Sequence, residues 1–282
     1  MTQEFCYKIG HPATGYRPGS HRSNGRGGGF EFREHAPLSA DPDPRRLDLY
    51  ASCRHPHGDL MVRVFRERRA LSVYVVADLS ASMGFSGVRR KLDVLAELAA
   101  ATARSARRVG DAFGFIGANG MLLEELRVAP TRSKGWGELI ALRLRRHVPS
   151  GASVAGLLAA ADQIGRHRAL VFLASDFHFP WPQLDRVLVA FARHVVVPVV
   201  LWDRAEFEPA MRFGLASLCD LESGQRRLLF MRPALRARMR LAWAERQREL
   251  EACCLRRGVR PLLLADGYEA ERFTQYFLDA HA

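Results

Sequence analysis

LSVYVVADLSASMGF, residues 71–85, decides how this chain is read. An apolar, β-branched run stops abruptly at Asp78-Leu79-Ser80-Ala81-Ser82. A short apolar run with a polar boundary reads as a buried strand, and its polar end reads as a site. In DLSAS a carboxylate and two hydroxyls alternate along the chain. A turn at the strand end therefore converges three oxygens on one point. Small oxygen donors with little net charge suit a hard cation such as Mg²⁺, which keeps some waters and an open position.

The rest of the chain supports a strand-and-helix reading. From residue 71, apolar strands alternate with helices: a strand over 71–77, a helix over 89–109, and a strand pair, 112–118 and 121–128, around Asn119-Gly120. Helices follow over 136–147 and 154–164, then a fully apolar strand over 169–174 that ends in Ser175-Asp176. A helix over 183–194 and a strand over 195–202 come next, then a hairpin over 217–221 and 226–230 around Ser223-Gly224. Pro233 opens a long helix to Arg257, and a strand over 259–264 and a helix over 269–278 close the chain. This is the pattern of an α/β fold, doubly wound, with a mainly parallel sheet flanked by helices. Residues 1–50 are rich in Gly, Pro, Arg and His. They predict an irregular N-terminal extension, residues 1–70, with one short strand at 30–34, ahead of a domain over 71–282.

Composition narrows the function classes. Nearly half of the 282 residues are hydrophobic, enough for a substantial core. The longest apolar run, 195–202, is too short to cross a membrane. The N-terminus lacks the apolar region of a signal peptide. Five scattered cysteines, odd in number and with no C-x-x-C pair, predict reduced thiols in a cytoplasmic protein. The net charge is +12, carried almost wholly by arginine, since Lys8, Lys91 and Lys134 are the only lysines. The arginines are spread along the chain, which argues against nucleic acid as the partner.

Ligands of such sheets bind outside the carboxyl ends of strands. Two strands here end in acids, Asp78 and Asp176, and between them Ser153 sits in the small-residue loop PSGASVAG, 149–156. The competing reading is that Ser80 and Ser153 cap helices and that the aspartates close turns. Two other groups weigh less. Cys53, His55, His57 and Asp59 mix metal ligands, but Pro56 and Gly58 make that stretch a loop. Cys253-Cys254 predicts one core thiol and one surface thiol on a helix.

D-x-S-x-S, a loop hydroxyl and a strand-end Asp resemble the metal site of von Willebrand factor A domains. The likeness extends along the chain. RPGSHRSNGRGGGFEFRE at 17–34, DPRRLDLYASCR at 43–54, VRVFRE at 62–67, DLSASM at 78–83, ASDFH at 174–178, and the stretch from DRAEFEP at 203 to LCDLESG at 224 resemble short members of the DUF58 family. Three positions depart from its usual pattern. Ala-Asp-Pro-Asp stands where Gly-Asp-Asp is usual, Leu49 replaces a Trp, and Ser153 replaces a Thr, keeping the hydroxyl without the rotamer stiffness.

The resemblance implies a von Willebrand A-like fold and a cation, Mg²⁺ or else Mn²⁺ or Ca²⁺, held by Asp78, Ser80, Ser82, Ser153 and Asp176. It implies a MoxR-type AAA+ ATPase as partner and a protein client whose complex is assembled or activated. In size and ending the chain is most similar to the methanol-oxidation branch, which makes methanol dehydrogenase a candidate client. The chain has no G-x-x-x-x-G-K-[ST] loop of its own. Arg45 and Arg46 are expected at a partner-binding surface of a structured apron over 17–54. The rival reading from another class is a Mg²⁺-dependent hydrolase such as a phosphatase.

Overall fold

The computed structural model of the protein describes residues 3–8, 18–207, 211, 213–219, 225–265 and 267–279. It resolves into two compact units, Ile9–Leu71 and a larger one of Met1–Lys8 with Ser72–Ala282.

The smaller unit is built from β1 (Pro18–Pro37), α1 (Leu49–Arg54) and β2 (Met61–Arg69). β1 and β2 pair antiparallel, with Phe32 opposite Phe65 and Ala36 opposite Val62, and the register shifts several times through the glycine-rich stretch. Ala36, Val62 and Val64 form a small core with Leu38 and Leu47 against it. Asp48 caps α1, accepting from the Ala51 amide at 3.0 Å, and its other oxygen meets Arg63 at 2.7 Å and His35 at 3.1 Å. Those donors, the Ala51 amide first, hold its carboxyl well below the usual carboxylate range. The short strand expected at 30–34 is thus part of a twenty-residue strand, and a helix stands where loop was expected. Local pattern hid both: the strand depends on a partner about thirty residues away, and its bulges break the period-2 alternation. Arg17, the first residue of the expected apron, lies outside the described residues.

The larger unit carries β3 (Ser72–Asp78), α2 (Lys91–Arg108), β4 (Ala112–Ala118), β5 (Leu122–Thr131), α3 (Trp136–Arg146), α4 (Ala155–Ile164), β6 (Leu170–Ser175), α5 (Trp181–Ala190) and β7 (Val195–Leu201). After these come α6 (Arg204–Phe207), β8 (Gly214–Cys219), β9 (Arg226–Met231), α7 (Pro233–Arg256), β10 (Leu262–Leu264) and α8 (Ala270–Asp279). Six strands form one sheet in the order β10-β7-β6-β3-β4-β5, parallel except for the antiparallel β4–β5 hairpin. That hairpin turns at Asn119, whose side-chain oxygen accepts from the Met121 amide at 3.0 Å. β8 and β9 make a separate hairpin with Phe213, Leu215, Leu228 and Phe230 exposed. The Ser223-Gly224 turn expected there lies outside the described residues.

Both faces of the sheet are covered, which is why β3, β6 and β7 read as continuous apolar runs. On one face Leu157, Ile164, Leu184, Val187 and Leu250, from α4, α5 and α7, pack on Val76, Val171 and Leu173. On the other lie α2 and α8, with Phe273 5.9 Å and Phe277 6.1 Å from the Phe172 ring. α3 packs on α2 so closely that a Cβ at Gly137 would stand 2.5 Å from that of Ala103.

Residues 3–8, expected within the extension, join this second face. Phe5 is fully buried 5.6 Å from Phe172, its amide donates to Ser105 Oγ at 3.0 Å, and Tyr7 donates to Asp111 at 2.6 Å. Phe5→Ala should therefore destabilise the α/β unit by about 3 kcal/mol, the typical cost of removing a buried ring. Chemical denaturation measures it. A loss below about 1 kcal/mol would mean that the segment is not part of this core.

Candidate metal centre

In the strand order, β3 is flanked by β4 on one side and β6 on the other. The chain goes from β3 to one edge, doubles back in β5, and resumes at β6 on the other side. The crevice at the carboxyl ends of β3 and β6 is thus the topological switch point, where doubly wound sheets bind their ligands. Parallel register sets Ala77 beside Ala174, so Asp78 and Ser175-Asp176 emerge side by side.

Asp78 is 3 % exposed. Its Oδ1 accepts from the Ser80 amide at 2.9 Å, and its Oδ2 accepts from Ser175 Oγ at 2.6 Å. Ser80 Oγ lies 3.2 Å from Ser82 Oγ, and the Ser82 hydroxyl in turn bonds Asp176. Ser80 begins a 3-10 turn (Ala81–Gly84) without spending its side chain on the cap. The hydroxyl faces the site, against the helix-cap reading. Asp78 and Ser80 are buried and Ser82 is half-buried, so the group forms a floor that opens to solvent at Ser82.

Ser153 differs. The loop that carries it is tied to the floor, because Ala81 donates to the Gly151 carbonyl at 2.8 Å and Ser150 donates to the Leu79 carbonyl at 3.1 Å. Its own hydroxyl is exposed and accepts from the Ala155 amide at 3.2 Å, at the start of α4. The cap reading fits this serine as it stands. A hydroxyl has two lone pairs, so accepting that amide leaves one for a further partner.

Four groups at the site were not singled out by the sequence reading. Ser175 bridges the strand ends through Asp78, and it also accepts from the Phe177 amide at 2.9 Å. Lys91, the first residue of α2 and 3 % exposed, donates to Asp176 Oδ2 at 2.8 Å and to Glu206 of α6. It also faces the Ser82 carbonyl at 3.4 Å. Trp202 Nε1 donates to the Asp176 carbonyl at 2.7 Å. The one signal for Lys91 was its rarity among arginines. A compact ammonium with three diverging donors fits between two carboxylates and a carbonyl, where a planar guanidinium would not. His178 stacks on Trp202 and stands 3.4 Å from Glu206 at the edge of the site.

Burial and the neighbouring Asp176 push the Asp78 carboxyl up to about 6. Burial alone would raise Asp176 as well, but the Lys91 ammonium overrides it and holds that carboxyl below its usual value. Two hydroxyls beside two buried carboxylates fit a small hard cation, and such a cation would relieve the repulsion that raises Asp78. The Cys53–Asp59 stretch, which mixes metal ligands, does not gather them. Cys53 is exposed and His55 pairs with Asp59 at 3.5 Å, and among the described residues no three His, Cys, Asp or Glu side chains gather at a metal spacing. Cys253 and Cys254 are both buried, which corrects the expected surface thiol, and burial pushes the Cys254 thiol up to about 12.

Fold and site together define a doubly wound α/β protein with a hydroxyl–carboxylate cluster at the switch point. Residues 39–250 match the family described as "Protein of unknown function DUF58", and the chain belongs to that family. A Paracoccus denitrificans protein described as "Uncharacterized protein in moxR 3'region" is 34% identical over 102 residues, covering 36% of this chain and 97% of that protein. Among solved structures, an aerotolerance-related membrane protein from Bacteroides fragilis aligns with a TM-score of 0.45 at 12% identity, over 75% of this chain and 100% of that one. BatB from Bacteroides thetaiotaomicron aligns with a TM-score of 0.43 at 12% identity, over 76% and 100%. Among the described residues no helix is long and apolar enough to cross a membrane.

The raised Asp78 carboxyl gives a pH signature. Its protonation favours the fold, fully below the unfolded value of 3.8, and that contribution is lost as the pH rises through about 6. In metal-free buffer the protein should gain thermal stability relative to Asp78→Asn as the pH falls from about 7 to about 5. Parallel melting curves for the two proteins would assign the site's charge imbalance elsewhere.

Proposed function

We propose that this protein is a metal-dependent interaction module, a von Willebrand A-like domain that works with a MoxR-type AAA+ ATPase to assemble or activate a client complex. The observation that carries the reading is the convergence of Asp78, Ser80, Ser82 and Asp176 at the switch point, graded from a buried floor to solvent at Ser82. Mg²⁺, or Mn²⁺ or Ca²⁺, would be held by Ser80 and Ser82, with Ser153 from the tied loop and with Asp78 and Asp176 partly through water. Bound there, the ion supplies an electrophilic point that a partner's carboxylate completes. The chain's own residues set that point. The hydroxyls bring donors without charge, Ser175 fixes the Asp78 rotamer, and Trp202 fixes the backbone of Asp176.

The ATPase is proposed because the Paracoccus denitrificans relative is described by its place in a moxR 3' region. The excess of arginine would steer an acidic partner. Methanol dehydrogenase is the client we favour, on the likeness to the methanol-oxidation branch, and the odd, scattered cysteines support a cytoplasmic location.

A pull-down with the cognate MoxR-type ATPase as bait tests the module. Recovery should fall with EDTA and with Asp78→Ala. Equal recovery in all three conditions would sink the metal bridge, and turnover of phosphate esters that vanished in Asp78→Ala would favour the hydrolase instead.

Arg45 is exposed, whereas Arg46 is braced 3.1 Å from Asp43 and lies over the Phe65 ring. We assign the pair to partner binding. Arg45→Ala/Arg46→Ala should leave Mg²⁺ binding intact and weaken association roughly tenfold, the scale of one lost charge-assisted contact. Unchanged affinity by surface plasmon resonance would remove the pair from the interface.

A further inference from the structure

Lys91 is in a doubly unfavourable place. It is the first residue of α2, where the helix dipole repels a cation, and it is 3 % exposed, where an ammonium has lost its water. It is kept there by Asp176 at 2.8 Å, by Glu206, by the Ser82 carbonyl at 3.4 Å and by the Phe85 ring at 5.8 Å. Two of these contacts belong to the metal cluster itself. Ser82 offers its hydroxyl to Asp176 and its carbonyl to Lys91. An ion that engaged Ser82 and Asp176 would share both residues with the ammonium.

We propose that Lys91 is a tethered cation that competes with the divalent ion for this site, and that Glu206 is the counter-group that receives it when the ion binds. The proposal rests on the metal reading above. Without the ion, Lys91 balances the buried carboxylates and keeps the floor assembled. With the ion present, two cations face one carboxylate, and the ammonium leans on Glu206 instead. Glu206 is placed for this by Asp203, which starts α6 by accepting from the Ala205 amide at 2.8 Å. Asp203 also accepts from the Arg89 amide at 3.1 Å, so α6 is fastened to the segment that leads into α2. Lys91 thus sets the affinity of the site and links its occupancy to α6.

The test is Mn²⁺ binding to the full-length protein, followed by electron paramagnetic resonance, with thermal melts in Mg²⁺ alongside. Lys91→Gln should bind Mn²⁺ about tenfold or more tightly, the size expected for removing a like charge a few ångströms from a divalent ion. Its melting temperature should rise more with Mg²⁺ than that of the unaltered protein, because the ion replaces the lost charge. Lys91→Gln/Glu206→Gln removes both members of the buried pair together, which guards against misfolding, and it should also bind more tightly. Arg89→Gln makes the same charge change on an exposed side chain paired with Glu97, and it should change affinity by less than about twofold. If neither Lys91 variant binds more tightly, or if Arg89→Gln tightens binding as much, the tethered-cation role falls and the metal reading stands. Absence of Mn²⁺ binding in every protein would overturn the metal reading and this proposal with it.

Discussion

Two aspartates leave neighbouring strands side by side, and the surrounding structure is arranged to make that tolerable. Asp78 and Asp176 are both buried, and a bare pair of carboxylates in such a place would be costly. Each is answered differently. Asp78 is wrapped by hydrogen bonds from Ser80 and Ser175 and keeps a raised carboxyl. Asp176 receives a full countercharge from Lys91, which holds its carboxyl below the usual value. The asymmetry gives the site one member poised to gain a proton or a cation and one already satisfied.

The loop after β6 shows what holding Asp176 requires. Phe177 sits at φ 52, a left-handed conformation that costs a non-glycine residue on the order of 1–2 kcal/mol. The strain is held from two sides. The Phe177 ring is fully buried, and Arg246 of α7 donates to the Phe177 carbonyl at 2.7 Å and to that of Phe179 at 3.1 Å while lying 4.1 Å over Trp181. A helix nearly seventy residues downstream thereby fixes the direction in which Asp176 points.

How far the sequence could be read follows from the range of the interactions. β3, β6 and β7 were legible because a strand buried on both faces is apolar throughout, and helices α2 and α3 because their apolar positions keep a 3.6 period. The DLSAS turn and the β4–β5 hairpin were legible because their chemistry is local. β1 was mostly missed, since pairing with β2 and not its own pattern makes it a strand. Lys91 and Glu206 were missed for the same reason on a larger scale: Lys91 bonds Asp176 and Glu206 far along the chain, and nothing in the stretch around either residue tells that they meet. The buried Cys253-Cys254 pair was misjudged because two adjacent helical residues usually diverge, whereas here both sit in the wedge beside Leu250.

Ser153 shows how the two halves of the site differ. Asp78, Ser80, Ser82, Ser175 and Asp176 fix one another by direct bonds and present a rigid wall. Ser153 stands on a loop anchored through the backbone of Ser150 and Gly151, with its side chain committed only to one amide at the start of α4. α4 is seated firmly enough to hold that position, since a Cβ at Gly156 would stand 2.6 Å from the Asn119 carbonyl. A threonine would add a methyl that narrows χ1, whereas serine keeps its rotamers. The loop therefore sets where the Ser153 oxygen of the proposed ligand set is, and the choice of serine leaves open which way it faces. One rigid wall and one adaptable donor suit the proposed ion site, the wall to hold the ion and the serine to adjust to an incoming ligand.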